Sequence, residues 1–97
     1  MIRVVNQRIE VSGDVNTNNA TALLAEGVAA VTGEGFATTI EIDLNGLTAI
    51  DSSLLAVVFG WMRAARAKER TLRLRNPPAS LLSLATVYGV AELLPQH

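Results

Sequence analysis

Cysteine is absent from the chain, and the only histidine, His97, is the last residue. The first absence excludes disulfides, thiolate zinc sites and cysteine nucleophiles. The second leaves a Ser-His-Asp arrangement without a dependable base, because a terminal residue is seldom held in one place. No GxSxG segment occurs either, so serine hydrolysis lacks both its elbow and its base. A metal would have to be held by carboxylates alone, and no DxDxDG-like run is present. Nothing resembles the glycine pattern of a P-loop. The residues therefore imply no cofactor, no metal and no enzyme.

Aromatics are scarce, with one Trp, one Tyr and two Phe, too few for the stacking platform of an RNA binder. A net charge of −1 argues against general nucleic-acid binding. Nor is there a long apolar run: the longest, Leu54 to Met62, falls far short of the ~20 residues that span a membrane. Met1-Ile2-Arg3-Val4-Val5 leads straight into a strand-like pattern instead of a secretory leader. The expectation is a soluble cytoplasmic chain with no direct membrane span.

What the chain does have is apolar content, 49% of its residues. That supplies a core for one small domain covering residues 1–97, which at this size buries roughly 60–70% of its unfolded surface. Met1–Val5 and Arg8–Ser12 read as strands joined at Asn6-Gln7, followed by a loop at Gly13–Asn16 in which Asn16 or Thr17 can cap a helix. Ala20, Leu23, Leu24, Gly27, Val28 and Val31 recur at helical spacing, and Gly33 is the expected left-handed stop. Thr38–Asp43 is the next strand, with Ile40, Ile42 and Leu44 inward and Glu41 and Asp43 outward, so that one sheet face meets water. Thr71–Arg75 alternates in the same way. Asn76-Pro77-Pro78 turns the chain into a helix opening near Ala79 or Ser80, with Leu81, Leu84, Ala85 and Tyr88 on its buried side. Gly89 ends that helix, and a last turn runs from Val90 to Leu94 before Pro95. The order ββαβαβα, with right-handed crossovers, gives an α/β fold: a mixed, mostly parallel sheet of four or five strands, with helices mainly on one face.

The central helix, from about Ser52 to Lys68, is apolar almost all round in its first half. Leu55, Val58, Phe59 and Met62 form one stripe, which faces the sheet. Leu54, Val57 and Trp61 form a second, to be covered either by neighbouring helices or by a partner protein. Arg63, Arg66, Lys68, Arg70, Arg73 and Arg75 crowd the segment that follows. They are either a solvated helix end, favoured by the helix dipole, or a docking patch for an acidic partner.

The polar triplet Asp51-Ser52-Ser53 stands where that helix begins, just past a strand end, where open α/β sheets keep their functional surfaces. With Asp51 as N-cap, the two serine hydroxyls lie near free amide hydrogens and the positive end of the dipole. A phosphate on either would be held by those donors and repelled by Asp51. Alternatively the triplet only starts a helix. Gly13-Asp14, in the loop after another strand, either is an ordinary turn or borders the same surface.

The segment from DLNGLTAIDSS through RAARAKERTLRLRN to YGVAELLP resembles the STAS domain family, the fold of anti-sigma-factor antagonists, over essentially the whole chain. Within it the likeness is greatest to the small STAS subunits of Mla-type phospholipid ABC transporters, which maintain outer-membrane lipid asymmetry. In those subunits a hydroxyl residue directly follows the aspartate, and Ser52 matches it. In sigma-pathway members the phosphorylated serine is the second residue after the aspartate, and Ser53 matches that. The resemblance thus implies a non-enzymatic subunit binding the ABC transporter ATPase, peripheral to the inner membrane. Asp51, Ser52 and Ser53 would be at the contact, with Leu54, Val57 and Trp61 as its apolar area. The alternative is an antagonist of a kinase-type anti-sigma factor, switched by phosphorylation at Ser53. Leu54 departs from that second pattern, which has glycine there. A homodimer of the free chain stays open.

Overall fold

The computed structural model describes residues 1–35 and 38–94, so the expectations for Pro95 and His97 lie outside the described residues. Strands β1 (Ile2–Val5) and β2 (Arg8–Val15) form the opening hairpin, turning at Asn6 in the left-handed region (φ 57°). Helix α1 (Ala20–Thr32), strand β3 (Thr39–Ile50), helix α2 (Ser53–Ala67), strand β4 (Thr71–Arg75) and helix α3 (Ala79–Val87) follow, with a closing 3₁₀ turn at Ala91–Leu93. The strands lie side by side in the order β1-β2-β3-β4. The β1–β2 pair is antiparallel; β2–β3 and β3–β4 are parallel. Two successive right-handed crossovers in one direction put α1 and α2 on the same face, and the two helices pack on each other there.

Alternation decides which face is dry. Ile9 and Val11, Ile40 and Ile42, and Leu72 and Leu74 are all buried under the helices. The residues between them are charged: Glu10, Glu41, Asp43, Arg73 and Arg75. On that wet face Arg3 pairs with Glu10 (2.9 Å) and Arg75 with Glu41 (2.8 Å). Such exposed pairs add at most about 1 kcal/mol each; the helix-covered side supplies the stability.

Five local expectations change. Strand β2 does not end at Ser12 but runs to Val15, and β3 runs on past Asp43 to Ile50. Two register shifts, between Glu10 and Ser12 and between Gly13 and Asp14, let the longer strand keep its pairing. They also break the alternation that would have marked it. Gly46 permits the first shift: a Cβ there would lie 2.9 Å from Ser12 Cβ and 3.0 Å from the Val11 carbonyl oxygen.

At the end of α1, Gly33 is extended (φ −67°, ψ 163°) and the left-handed residue is Gly35 (φ 96°). The open carbonyls are taken instead by Arg70, whose Nη1 donates to Val31 O (2.7 Å) and Gly33 O (2.6 Å). At the start of α1, the flanking residue is Asn19, without a side-chain cap; the Asn16 carbonyl accepts from Ala20 N–H (2.9 Å).

Finally, Tyr88 is exposed rather than buried. Gly89 (φ 73°) reverses the chain so that Val90 N–H reaches Ala85 O (2.8 Å), and Leu94 takes the core position instead.

Candidate functional site

The parallel strands β2 and β3 finish together, Asp14 beside Ala49 and Val15 beside Ile50. One further bond, Asp51 N–H to Val15 O (3.1 Å), carries the pairing past the end of β3 and fixes where α2 starts. The segment after β2 therefore lies against the Asp51-Ser52-Ser53 triplet, as Gly13-Asp14 suggested it could. It is held by its own side chains. Asn19 Nδ2 donates to Asp14 O (2.9 Å), Asn16 N–H to Asn19 Oδ1 (3.0 Å), and Asn18 N–H to Asn16 Oδ1 (2.9 Å). Asp14, Thr17 and Asn18 stay exposed on this surface. Their signal in the sequence is the run Asp14-Val15-Asn16-Thr17-Asn18-Asn19, dense in side chains that bond their own backbone.

Asp51 acts as the cap. Its Oδ1 accepts the Ser53 N–H (2.9 Å) and also the Ser53 hydroxyl. Those two bonds, with a further one from the Thr17 amide, outweigh partial desolvation and hold the Asp51 carboxyl below its ordinary value. The two serines consequently differ. Ser53 is half-buried and its hydroxyl is committed to Asp51. Ser52 already has helical backbone angles (φ −63°, ψ −17°), is exposed, and makes no capping hydrogen bond with its side chain. One alcohol is tied down; the other is on offer.

The apolar half of the expected contact is corrected. Leu54, Val57 and Trp61 are 0%, 2% and 0% exposed and have no surface to give a partner. Helix α1 covers Trp61, and its glycine makes this possible: a Cβ at Gly27 would stand 1.9 Å from Trp61 Nε1. The indole N–H, carried into the interior, donates to Leu24 O (3.2 Å). Conversely Phe59 and Met62, expected against the sheet, pack on the core but are only half-buried.

The basic run separates into different uses. Arg70 ties off α1, Arg75 pairs with Glu41, and Arg73 stands on the wet sheet face. Arg63, Arg66 and Lys68 remain exposed along the end of α2. Among the described residues no group of three His, Cys, Asp or Glu could hold a metal ion, and no helix is long and apolar enough to cross a membrane.

Residues 2–95 match the family profile described as Mlab, STAS domain. The Haemophilus influenzae intermembrane phospholipid transport system binding protein MlaB is 34% identical over 55 residues, 57% of this chain and 52% of that protein. The chain thus aligns with about half the length of that relative. Among solved structures, the anti-sigma-factor antagonist SpoIIAA in its unphosphorylated form superposes with a TM-score of 0.72 at 22% identity, over 100% of this chain and 86% of that one. The phosphorylated form of SpoIIAA, the Bacillus cell-fate determinant, gives 0.67 at 21% identity, over 100% and 89%. At such identities the likeness is one of fold.

Proposed function

The chain belongs to the STAS domain family, and we propose that it is a non-enzymatic accessory subunit that binds the ATPase of an Mla-type phospholipid ABC transporter. It would act in the cytoplasm, at the inner membrane through its partner. The observation that carries this reading is the exposed Ser52 hydroxyl at the joined ends of β2 and β3, on a helix start whose cap is already satisfied. A neutral, rigidly placed alcohol suits a permanent contact. Asp51 and Ser53 hold it in place, and Asp14, Thr17 and Asn18 extend the surface around it. Binding there would favour whichever ATPase conformation presents the complementary surface. The MlaB relative, a phospholipid transport system binding protein by name, supports the choice of partner.

Purification of the tagged chain from its native host should bring down an ABC ATPase in stoichiometric amount. Ser52→Arg should abolish that recovery while leaving the thermal midpoint unchanged, and Ser53→Ala should retain it. Recovery indifferent to Ser52→Arg would remove the reading.

The second reading is a phospho-switch at Ser53 on an anti-sigma-factor antagonist, supported by the fold of SpoIIAA in both its forms. A phosphate of charge about −1.5 to −2 would have to displace the Asp51 carboxylate from the Ser53 amide. Intact-mass and peptide mass spectrometry of native protein separates the two, since only the switch requires phosphoserine at position 53.

A further inference from the structure

The far half of α2 carries a second surface. Phe59, Met62, Arg63 and Arg66 line a cleft of about 240 Å³ with Leu93 of the closing turn. A smaller hollow of about 120 Å³ continues past Met62 and Arg66 to Arg70, Thr71 and Leu72. The floor is apolar and wet: Phe59 and Met62 are half-buried and Leu93 is 60% exposed. Arg63 and Arg66, three residues apart, are neighbours on the helix surface. Among the described residues, neither has a carboxylate within ion-pair distance. The helix dipole accounts for a cation in the last turn, Arg66. It does not account for two arginines flanking an apolar hollow.

We propose that this cleft is a docking site for an acidic segment of a partner protein, which places one large apolar side chain over Met62 and Phe59 and gives its carboxylates to Arg63 and Arg66. Two exposed arginines beside an apolar floor favour an occupant that joins carboxylates to a large apolar side chain. Its concave form and the net charge of −1 favour a protein segment over a lipid surface, which calls for a broad basic face. At ~1.5 Å per residue, Arg66 lies about 21 Å along the helix axis from Ser52. The cleft is therefore a second point of attachment, independent of what binds at Ser52.

The test starts from a phage-displayed library of random peptides selected on the purified full-length chain. Enriched peptides should share a bulky apolar residue beside Asp or Glu. Their amide chemical-shift changes on ¹⁵N-labelled protein should centre on Phe59, Met62, Arg63, Arg66 and Leu93. Arg63→Glu with Arg66→Glu should weaken them about tenfold or more, Ser52→Arg should leave them unchanged, and added salt should weaken them further. Both arginines are exposed, and circular dichroism should report an unaltered fold. No enrichment, peptides without carboxylates, or shifts confined to the Ser52 end would each overturn the proposal. Phosphatidylglycerol vesicles are the control. Vesicle binding that needs the same arginines, with no peptide selected, would overturn it in favour of a membrane.

Discussion

The two flanks of α2 are made of similar residues and meet different fates. Leu54, Val57 and Trp61 on one flank are sealed, whereas Phe59 and Met62 on the other are half open. Hydrophobicity does not separate them, and what faces them does. Opposite Trp61, α1 presents Gly27, where the absence of a side chain lets the indole enter; opposite Gly60 it presents Leu24. Large and small residues are exchanged between the helices so that they approach closely. On the outer flank, among the described residues, the cleft beside Phe59 and Met62 is bordered by Leu93 of the final turn, which is itself 60% exposed.

That contrast is broken most severely at Trp61. Trp61→Ala should cost about 3–5 kcal/mol, read as a lowered urea midpoint, because it empties a fully buried core site and removes the indole's bond to the Leu24 carbonyl. Were Trp61 a partner contact, the free protein would keep its stability and lose only binding. The glycines sharpen the point. Gly27→Ala should destabilise by about 1–3 kcal/mol, since its Cβ would meet a rigid, fully enclosed ring. At Gly60 the nearest atom, 2.5 Å from where an alanine Cβ would lie, is the tip of Leu24, a flexible half-buried chain. There alanine's helix propensity, worth about 1 kcal/mol over glycine, should leave Gly60→Ala close to neutral.

How far the sequence anticipated this depends on whether periodicity survived. The α/β order, the hairpin, and the inward faces of β3 as far as Leu44 and of β4 were legible because alternation runs unbroken there. It fails at Asn45-Gly46, which look like a turn and are a register shift; the second half of β3 was invisible for that reason. The triplet at the start of α2 was legible because capping chemistry is local. Which of its hydroxyls is free was not, since this depends on the orientation Asp51 acquires between Ser53 and the Thr17 amide, a residue distant in sequence. The partition of α2's apolar residues was least legible. Two stripes were visible, but the glycine that admits Trp61 is on another helix.

The polar tip gives a smaller, pH-dependent effect. The Asp51 carboxyl is held low, so its folded value lies beneath the ordinary 3.8. A group depressed on folding contributes fully above its unfolded pKa and loses that contribution as pH falls through the folded value. Asp51→Asn should therefore lower the thermal midpoint at neutral pH by less than Gly27→Ala does. The gap from the parent should narrow below about pH 4, while the deficits of Trp61→Ala and Gly27→Ala persist.

A similarly small effect is expected on the open flank. Leu93→Ser removes an apolar side chain that is already 60% exposed, so the unfolding free energy from a urea titration should change by no more than about 0.5 kcal/mol. The outcome matters because of its smallness. A residue that packs for stability cannot be replaced by serine without loss, whereas one kept for an absent partner can. A loss approaching that of Gly27→Ala would mean the closing turn is part of the core, and the two flanks of α2 would then differ in degree only.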